Sequence, residues 1–342
     1  MTQPRTTFTA RRPVDLVAAV PYVLGFHPED SVVLMTFGPG EAFHARVDLP
    51  TDEDDQLEVV EMLAGVIARH GVGRVALLLY PEDAWVAATF HDAVVPRLVR
   101  DDVQVIDVLR VGSDRFHSAD DVDDPGTAYD LKGHLFTAEQ VLEGKVVHQS
   151  REALAASLVL VDAADAQAVA DAVDRFDAQF QGMRAFVRPH RIGSEIVDLA
   201  RWAQRTIRKS VRTGTPLTAD DAGRLLVLVA AVPLRDIAWA EITRVDAERH
   251  VEMWRDLVRR SPEQLLPAAA SLLGFAAWLH GDGALAWCAL ERCHEVDPDY
   301  SMADLVARLL EGAVPPSAWS PITEDELSVF GPTSPPPLPP VS

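Results

Sequence analysis

DLVAAVPYVLGFHPEDSVVLMTFGPGEAFHARVDLP, running from Asp15 to Pro50, is the stretch whose reading decides the fold. Pro13, just ahead of it, suits the first turn of a helix, where its missing N–H costs nothing. Leu16, Ala19, Val20, Val23 and Leu24 then recur at helical spacing and form one apolar face. Pro21 predicts an end or a kink, and Gly25 a reversal of the chain. His27-Pro28-Glu29-Asp30 is turn chemistry, and Ser31 to Phe37 is a nearly unbroken apolar run of strand length. Gly38-Pro39-Gly40-Glu41 is too short for a crossover, so the next strand, Ala42 to Leu49, is expected to return antiparallel. In it Phe43, Ala45, Val47 and Leu49 face one way, and His44, Arg46 and Asp48 the other.

Outward from this hairpin, Thr51 and the acidic run Asp52–Asp55 read as a helix start, and Val59 to Ile67 as its buried face. Arg74–Tyr80 is a buried strand, Ala84–Arg100 a helix with a break expected at Pro96, and Val103–Val111 a further strand. Strand, helix, strand, helix, strand predicts two right-handed crossovers and a parallel core, with Ser31 to Phe37 as its antiparallel addition. Gly112 to Asp130 is polar and acid-rich and reads as a long functional or mobile loop.

The fold class expected is therefore α/β, an N-terminal mixed, mostly parallel sheet with flanking helices, followed by an all-α helical-hairpin domain. The expected boundaries are an α/β domain over 1–160, a connecting helix and linker over 161–193, a helical domain over 194–314, and a Pro-rich, disordered tail over 315–342. Within the helical part, Gly281-Asp282, Ala286, Leu290, Cys293 and Pro298 follow Leu273-Gly274 at the spacing of a tetratricopeptide unit, which predicts a helical hairpin over 267–298. Leu225 to Trp239 reads as a worn copy of it.

Lys+Arg 31 against Asp+Glu 52 gives a net charge of −21, an average field that repels phosphate backbones and anionic membranes. The largest basic stretch is the helix from Arg201 to Arg212. Cys288 and Cys293 point to different faces of one helix, so neither a disulfide nor a metal pair is expected, as suits a reducing cytoplasm. No apolar run reaches the roughly 18–20 residues of a membrane span. Arg11-Arg12 before an apolar stretch imitates an export signal, but Asp15 and Pro21 interrupt it and no small-residue cleavage site follows, so the expected location is cytoplasmic.

Chain direction then locates a candidate site. The start of the first strand lies beside the end of the second, so the His27–Ser31 turn is expected next to Asp48 at the carboxyl rim, where open α/β sheets bind ligands. His27 would act as general base or ligand donor, with Asp30 or Asp48 orienting it, and Tyr80 and Glu82 end a neighbouring strand. Arg110, Arg115, His117 and Ser118 follow the last core strand, with Arg115 placed to clamp a small anion. The same residues also suit a plain turn stiffened by Pro28 and a solvated loop paired with Asp114, Asp120 and Asp121. An EF-hand starting at Asp121 fails at Pro125 and Lys132, Gly71-Val72-Gly73 leads from helix into strand, and no nucleophile elbow, phosphate loop or zinc-protease motif is present. No metal or cofactor is expected. A non-catalytic sensor or adaptor, its helical domain meeting a protein partner, is the favoured reading, with a hydrolase or transferase at the rim as the alternative.

LVAAVPYVLGFHPEDSVVLMTF, RVDLP, the Arg115–Ser118 loop, SREALAASL and GDGALAWCALERCHEVDPDYSMADL together resemble the actinobacterial domain-of-unknown-function family 4192, from about Arg12 to Trp319. The resemblance implies a bacterial cytoplasmic protein without an assigned activity. It also implies a cysteine pair in the loop that here reads Asp123-Asp124-Pro125, a departure that removes the ligands for a metal or redox role there.

Overall fold

The computed structural model describes residues 10–38, 43–142, 144–159, 162–184 and 194–330, with the backbone alone over 181–184. The chain divides into two compact units, Met1–Leu154 with Glu311–Pro315, and Ala155–Leu310 with Pro316–Ser342.

The first unit opens with helix α1 (Pro13–Leu24), which continues through Pro21 instead of ending there. Proline costs a helix one N–H, and here the whole helix flank from Leu16 to Pro21 is buried, so packing outweighs the lost bond. Gly25, at φ 77°, ends the helix in the left-handed conformation that glycine adopts without a Cβ penalty. Strands β1 (Ser31–Phe37) and β2 (His44–Asp48) form the expected hairpin. Helix α2 (Glu53–Arg69), strand β3 (Arg74–Tyr80), helix α3 (Ala84–Arg100) and strand β4 (Gln104–Val111) follow, α3 also running unbroken through its proline, Pro96.

The sheet order is β2-β1-β3-β4-β5-β6, where β5 is Arg115–Ser118 and β6 is Thr127–Ala128. This overturns the expectation of a mostly parallel sheet. Strands β2, β3 and β4 do share one direction, but β1 is inserted between β2 and β3 and is antiparallel to both. Among the described strands, β3 and β4 alone pair in parallel. The physical reason lies in β1 itself: Ser31 through Thr36 are all buried, which an edge strand with one wet face does not need. Strand β2, with His44 and Asp48 exposed, is the one that tolerates an edge. The supposed loop after β4 is a second correction, since β5 and β6 extend the sheet antiparallel. Four and two residues are too few for alternation to be readable.

Helices α2 and α3 cover one face of the sheet, burying Val60, Leu63, Ile67, Phe90, Val94 and Leu98 against Val32, Leu34, Val75, Leu77 and Leu79. The unit is completed by α4 (Leu135–Leu142), which packs on α1, and by most of α5 (Arg151–Ala156).

The second unit is helical: α6 (Ala163–Arg184), α7 (Ser194–Thr213), α8 (Ala219–Val229), α9 (Val232–Ala240), α10 (Ala247–Arg260), α11 (Leu266–His280), α12 (Gly283–His294) and α13 (Ser301–Glu311). Helix α6, read above as a connector, packs on α8 so closely that a Cβ on Gly223 would lie 2.7 Å from the Cβ of Ala172. Helices α11 and α12 pack on each other, crossing where Gly274 faces Leu290 and joined by a turn at Gly281, φ 96°. The described part of the supposed tail is packed. Trp319 stacks on Trp239 with centroids 5.4 Å apart and meets Phe275 edge-on at 4.9 Å, while Leu327 and Val329 are buried. The proline run from Gly331 onward lies outside the described residues.

Candidate ligand cleft

The register places Ser31 opposite both Asp48 and Tyr80, so the turn that leads into β1 does reach the carboxyl ends of β2 and β3. A cleft of about 510 Å³ opens between that turn and the ends of β3 and β4, within the span typical of small-molecule sites. Helix α1 supplies Val17 and Pro21 as one wall, the turn supplies His27, Pro28, Glu29 and Asp30, and β3 ends in Tyr80, Pro81 and Glu82. Val111 at the end of β4, Gly112 and Ser113 after it, and Tyr129 and Leu131 close the far side.

The turn is held firmly. His27 N–H donates to the His148 carbonyl at 3.1 Å, and His148 N–H returns to Gly25 at 2.8 Å. Asp30 sits at φ 43°, a left-handed conformation costing an aspartate about 1–2 kcal/mol, and its carbonyl accepts from Leu49 N–H at 2.8 Å. Strain kept beside a cleft is a reason to look for function there. Behind the turn Arg46 bonds Ser31 Oγ at 2.8 Å and Asp48 at 2.5 Å, and Ser31 Oγ donates to the Glu29 carbonyl.

Of the residues expected at the site, His27, Asp30 and Tyr80 line this cleft together with Glu82. Asp48 stands next to the turn but is occupied by Arg46. Arg110 reaches the Val122 carbonyl at 3.4 Å. Arg115 donates to the Pro125 and Gly126 carbonyls, 2.9 Å each, and His117 Nδ1 lies 2.8 Å from the Asp124 carbonyl. Ser118 N–H donates to Asp124 at 2.7 Å, and its hydroxyl to Asp120. These four therefore shape the segment between β5 and β6. Gly126, at φ 69°, passes so near His117 that a Cβ would lie 2.5 Å from the ring.

The lining is rich in acceptors. Glu29, Asp30 and Glu82 bring three carboxylates, and among the described residues no lysine or arginine lines the cleft. Pro21 has no N–H to give the Val17 carbonyl one turn back, so that acceptor lacks its helical partner at the cleft wall. Burial raises the Tyr80 phenol well above its usual range, helped by Tyr129, and burial raises Tyr129 as well. Both hydroxyls thus stay protonated at neutral pH, Tyr129 donating to the Gly112 carbonyl at 2.6 Å. Among the described residues no three His, Cys, Asp or Glu side chains converge to hold a metal ion.

Sequence reasoning missed Val17, Pro21, Ser113 and Tyr129. A proline within an otherwise helical apolar pattern was the available signal, since it marks a carbonyl the helix does not use. It also missed a pair on the same helix. Asp15 Oδ1 meets His134 Nε2 at 3.0 Å, while Oδ2 accepts the N–H groups of Arg11 at 2.9 Å and Arg12 at 3.0 Å. Burial pushes the Asp15 carboxyl up, but the N–H of Arg11, the His134 ring and both groups of Arg12 outweigh it and hold it at about 2.

Fold and cleft define a class: a mixed-sheet α/β unit carrying a ligand-sized, acceptor-rich cleft, joined to an all-helical unit. The chain belongs to the family described as Domain of unknown function (DUF4192), which it matches over residues 13–317. No curated protein and no solved structure matches it. Among the described residues no helix is long and apolar enough to cross a membrane.

Proposed function

We propose that this chain is a non-catalytic binding protein whose first unit holds a small organic cation, or a neutral molecule rich in N–H and O–H donors, in the cleft at the ends of β3 and β4. The second unit, with its tetratricopeptide-like hairpin, would meet a protein partner in the manner of a sensor or adaptor. One observation carries the reading: Glu29, Asp30 and Glu82 line the cleft, and among the described residues no arginine or lysine does. The anionic ligand expected from the sequence rested on Arg115, whose guanidinium is bonded to two backbone carbonyls. The enzyme alternative needs an oriented base, and Asp48 is paired with Arg46. Among the described residues no hydroxyl or thiol of the cleft is hydrogen-bonded to an imidazole.

A ligand that binds only the folded chain raises Tm. Ethanolamine, choline and spermidine are expected to do so, and citrate and phosphate not, with the rise lost in Glu82→Gln and Asp30→Asn. Stabilisation by the anions alone, or an amine effect unchanged in both variants, would overturn the reading. Turnover of any bound amine, abolished by His27→Ala, would favour the enzyme instead.

A further inference from the structure

Pro21 lies inside α1 and lines the amine cleft together with Val17, one helical turn before it. Chemistry ties the two residues. The carbonyl of an α-helical residue accepts from the N–H four positions on, and proline at position 21 has none to give. The pyrrolidine ring also crowds the carbonyl it fails to satisfy. Val17 is 2% exposed, so bulk water does not replace the missing donor. An acceptor left without a donor in an interior is costly, and here it belongs to a cleft wall.

The other elements around the cleft complete the picture. The register puts Ser31 opposite Tyr80, so the turn carrying Glu29 and Asp30 lies beside Glu82 at the end of β3. Val111 and Leu131, with Pro28 and Pro81, add apolar surface. Besides the three carboxylates, the ionisable side chains lining the cleft are His27 and the two tyrosines. The Tyr129 hydroxyl is already spent on the Gly112 carbonyl.

We propose that the ligand of this cleft is a primary amine on an apolar stem, its ammonium giving one N–H to the Val17 carbonyl and the others to the carboxylates of Asp30 and Glu82. This rests on the cationic-ligand reading above and narrows it. Carboxylates attract a positive charge whatever its substituents, whereas a carbonyl selects for N–H. A primary ammonium has three such donors and a quaternary ammonium none. A primary ammonium is also the more strongly hydrated of the two, so a cleft offering charge alone would favour the methylated form. Pro21 thus sets specificity by withholding a donor, and the helix holds the freed carbonyl in place before anything binds.

Calorimetric titration of the full chain with 2-phenylethylamine and with its N,N,N-trimethyl derivative tests it. The primary amine is expected to bind at least about tenfold more tightly, the worth of one hydrogen bond from a charged donor. Pro21→Ala gives position 21 an N–H for the Val17 carbonyl, so it should erase that advantage and leave the trimethyl affinity within about twofold. Wild-type chain carbon-labelled at its valine carbonyls adds a readout that needs no substitution. The Val17 resonance should move with the primary amine and stay in place with the trimethyl form. Equal affinities, both lost in Glu82→Gln, would sink this inference and leave the cation reading standing. No binding of either probe by the folded wild type would sink both. A Pro21→Ala loss shared equally by the two probes, or a Val17 resonance unmoved by the bound amine, would mean that the ring only shapes the wall, and would overturn the proposal.

Discussion

Replacing Asp15 by Asn removes one charge from a side chain that is 8% exposed and leaves its shape. Holding a carboxyl at about 2 instead of 3.8 corresponds to roughly 2.5 kcal/mol of folding free energy. Solvent at its exposed edge screens part of that, so about 1–2 kcal/mol is the expected loss at pH 7. The sign follows from the direction of the shift. A carboxyl held below its unfolded value contributes fully above about 3.8, and the contribution fades as pH falls toward 2. Urea midpoints of wild type and Asp15→Asn should therefore differ by a constant amount between pH 5 and 7. They should converge between about pH 4 and 2, all of the change occurring in the wild type. His134→Ala, which removes one of the groups holding the carboxylate, should shrink the gap at pH 7 and complete the convergence at a higher pH. A gap that persists unchanged down to pH 2, or no gap at pH 7, would refute the argument that these hydrogen bonds, and not helix propensity at the start of α1, give Asp15 its role.

Two further perturbations probe the packing and the turn. Gly223→Ala should destabilise the second unit by about 1–2 kcal/mol, because the new Cβ meets backbone at 2.8 Å on α6, which outweighs the roughly 1 kcal/mol of helix propensity gained. Gly274→Ala should be close to neutral, its contact being a methyl of Leu290 at 2.8 Å that can rotate away, and comparison of the two urea midpoints checks both. Asp30→Gly should leave the chain as stable or more stable by up to about 1 kcal/mol, since φ 43° suits glycine. The same variant should lose the Tm rise with amines, and a loss of stability without a change in that rise would mean the aspartate serves the turn and not the cleft.

The directions of β1 to β4 were legible, because connection length decides them: the six residues between β1 and β2 permit only a return, and a helix after β2 and β3 brings the next strand round to run the same way. Which strands are neighbours was not. Crossover rules allow β3 to pair with β2 or with β1, and the deciding fact is that β1 is apolar on both faces and needs two partners. His27, Tyr80 and Glu82 were legible as neighbours because they flank strand ends. Arg115 and His117 were misleading for a definable reason: their partners are the carbonyls of residues 124–126, and backbone acceptors leave no mark in a side-chain pattern. The Asp15–His134 pair spans 119 residues of sequence, and an aspartate in the first turn of a helix already has a sufficient local explanation as a cap.

The rim also explains why its polarity is opposite to that of many α/β sheets. Where strands lead directly into helices, the helix N-termini present free N–H groups at the carboxyl edge and draw anions there. Here both such ends are already taken. Asp52 accepts from Asp54 and Asp55 N–H at the start of α2, whose first turn adds three more carboxylates, and Asp83 accepts from Trp85 N–H at the start of α3. The inserted strand β1 then brings a turn bearing Glu29 and Asp30 to the same edge in place of a third helix. An anion approaching the rim would meet carboxylates at the positions where a nucleotide-binding sheet offers N–H groups. An ammonium or a hydroxyl donor would meet partners on every side, and that difference in local field, more than any single residue, is why the amine probes should discriminate.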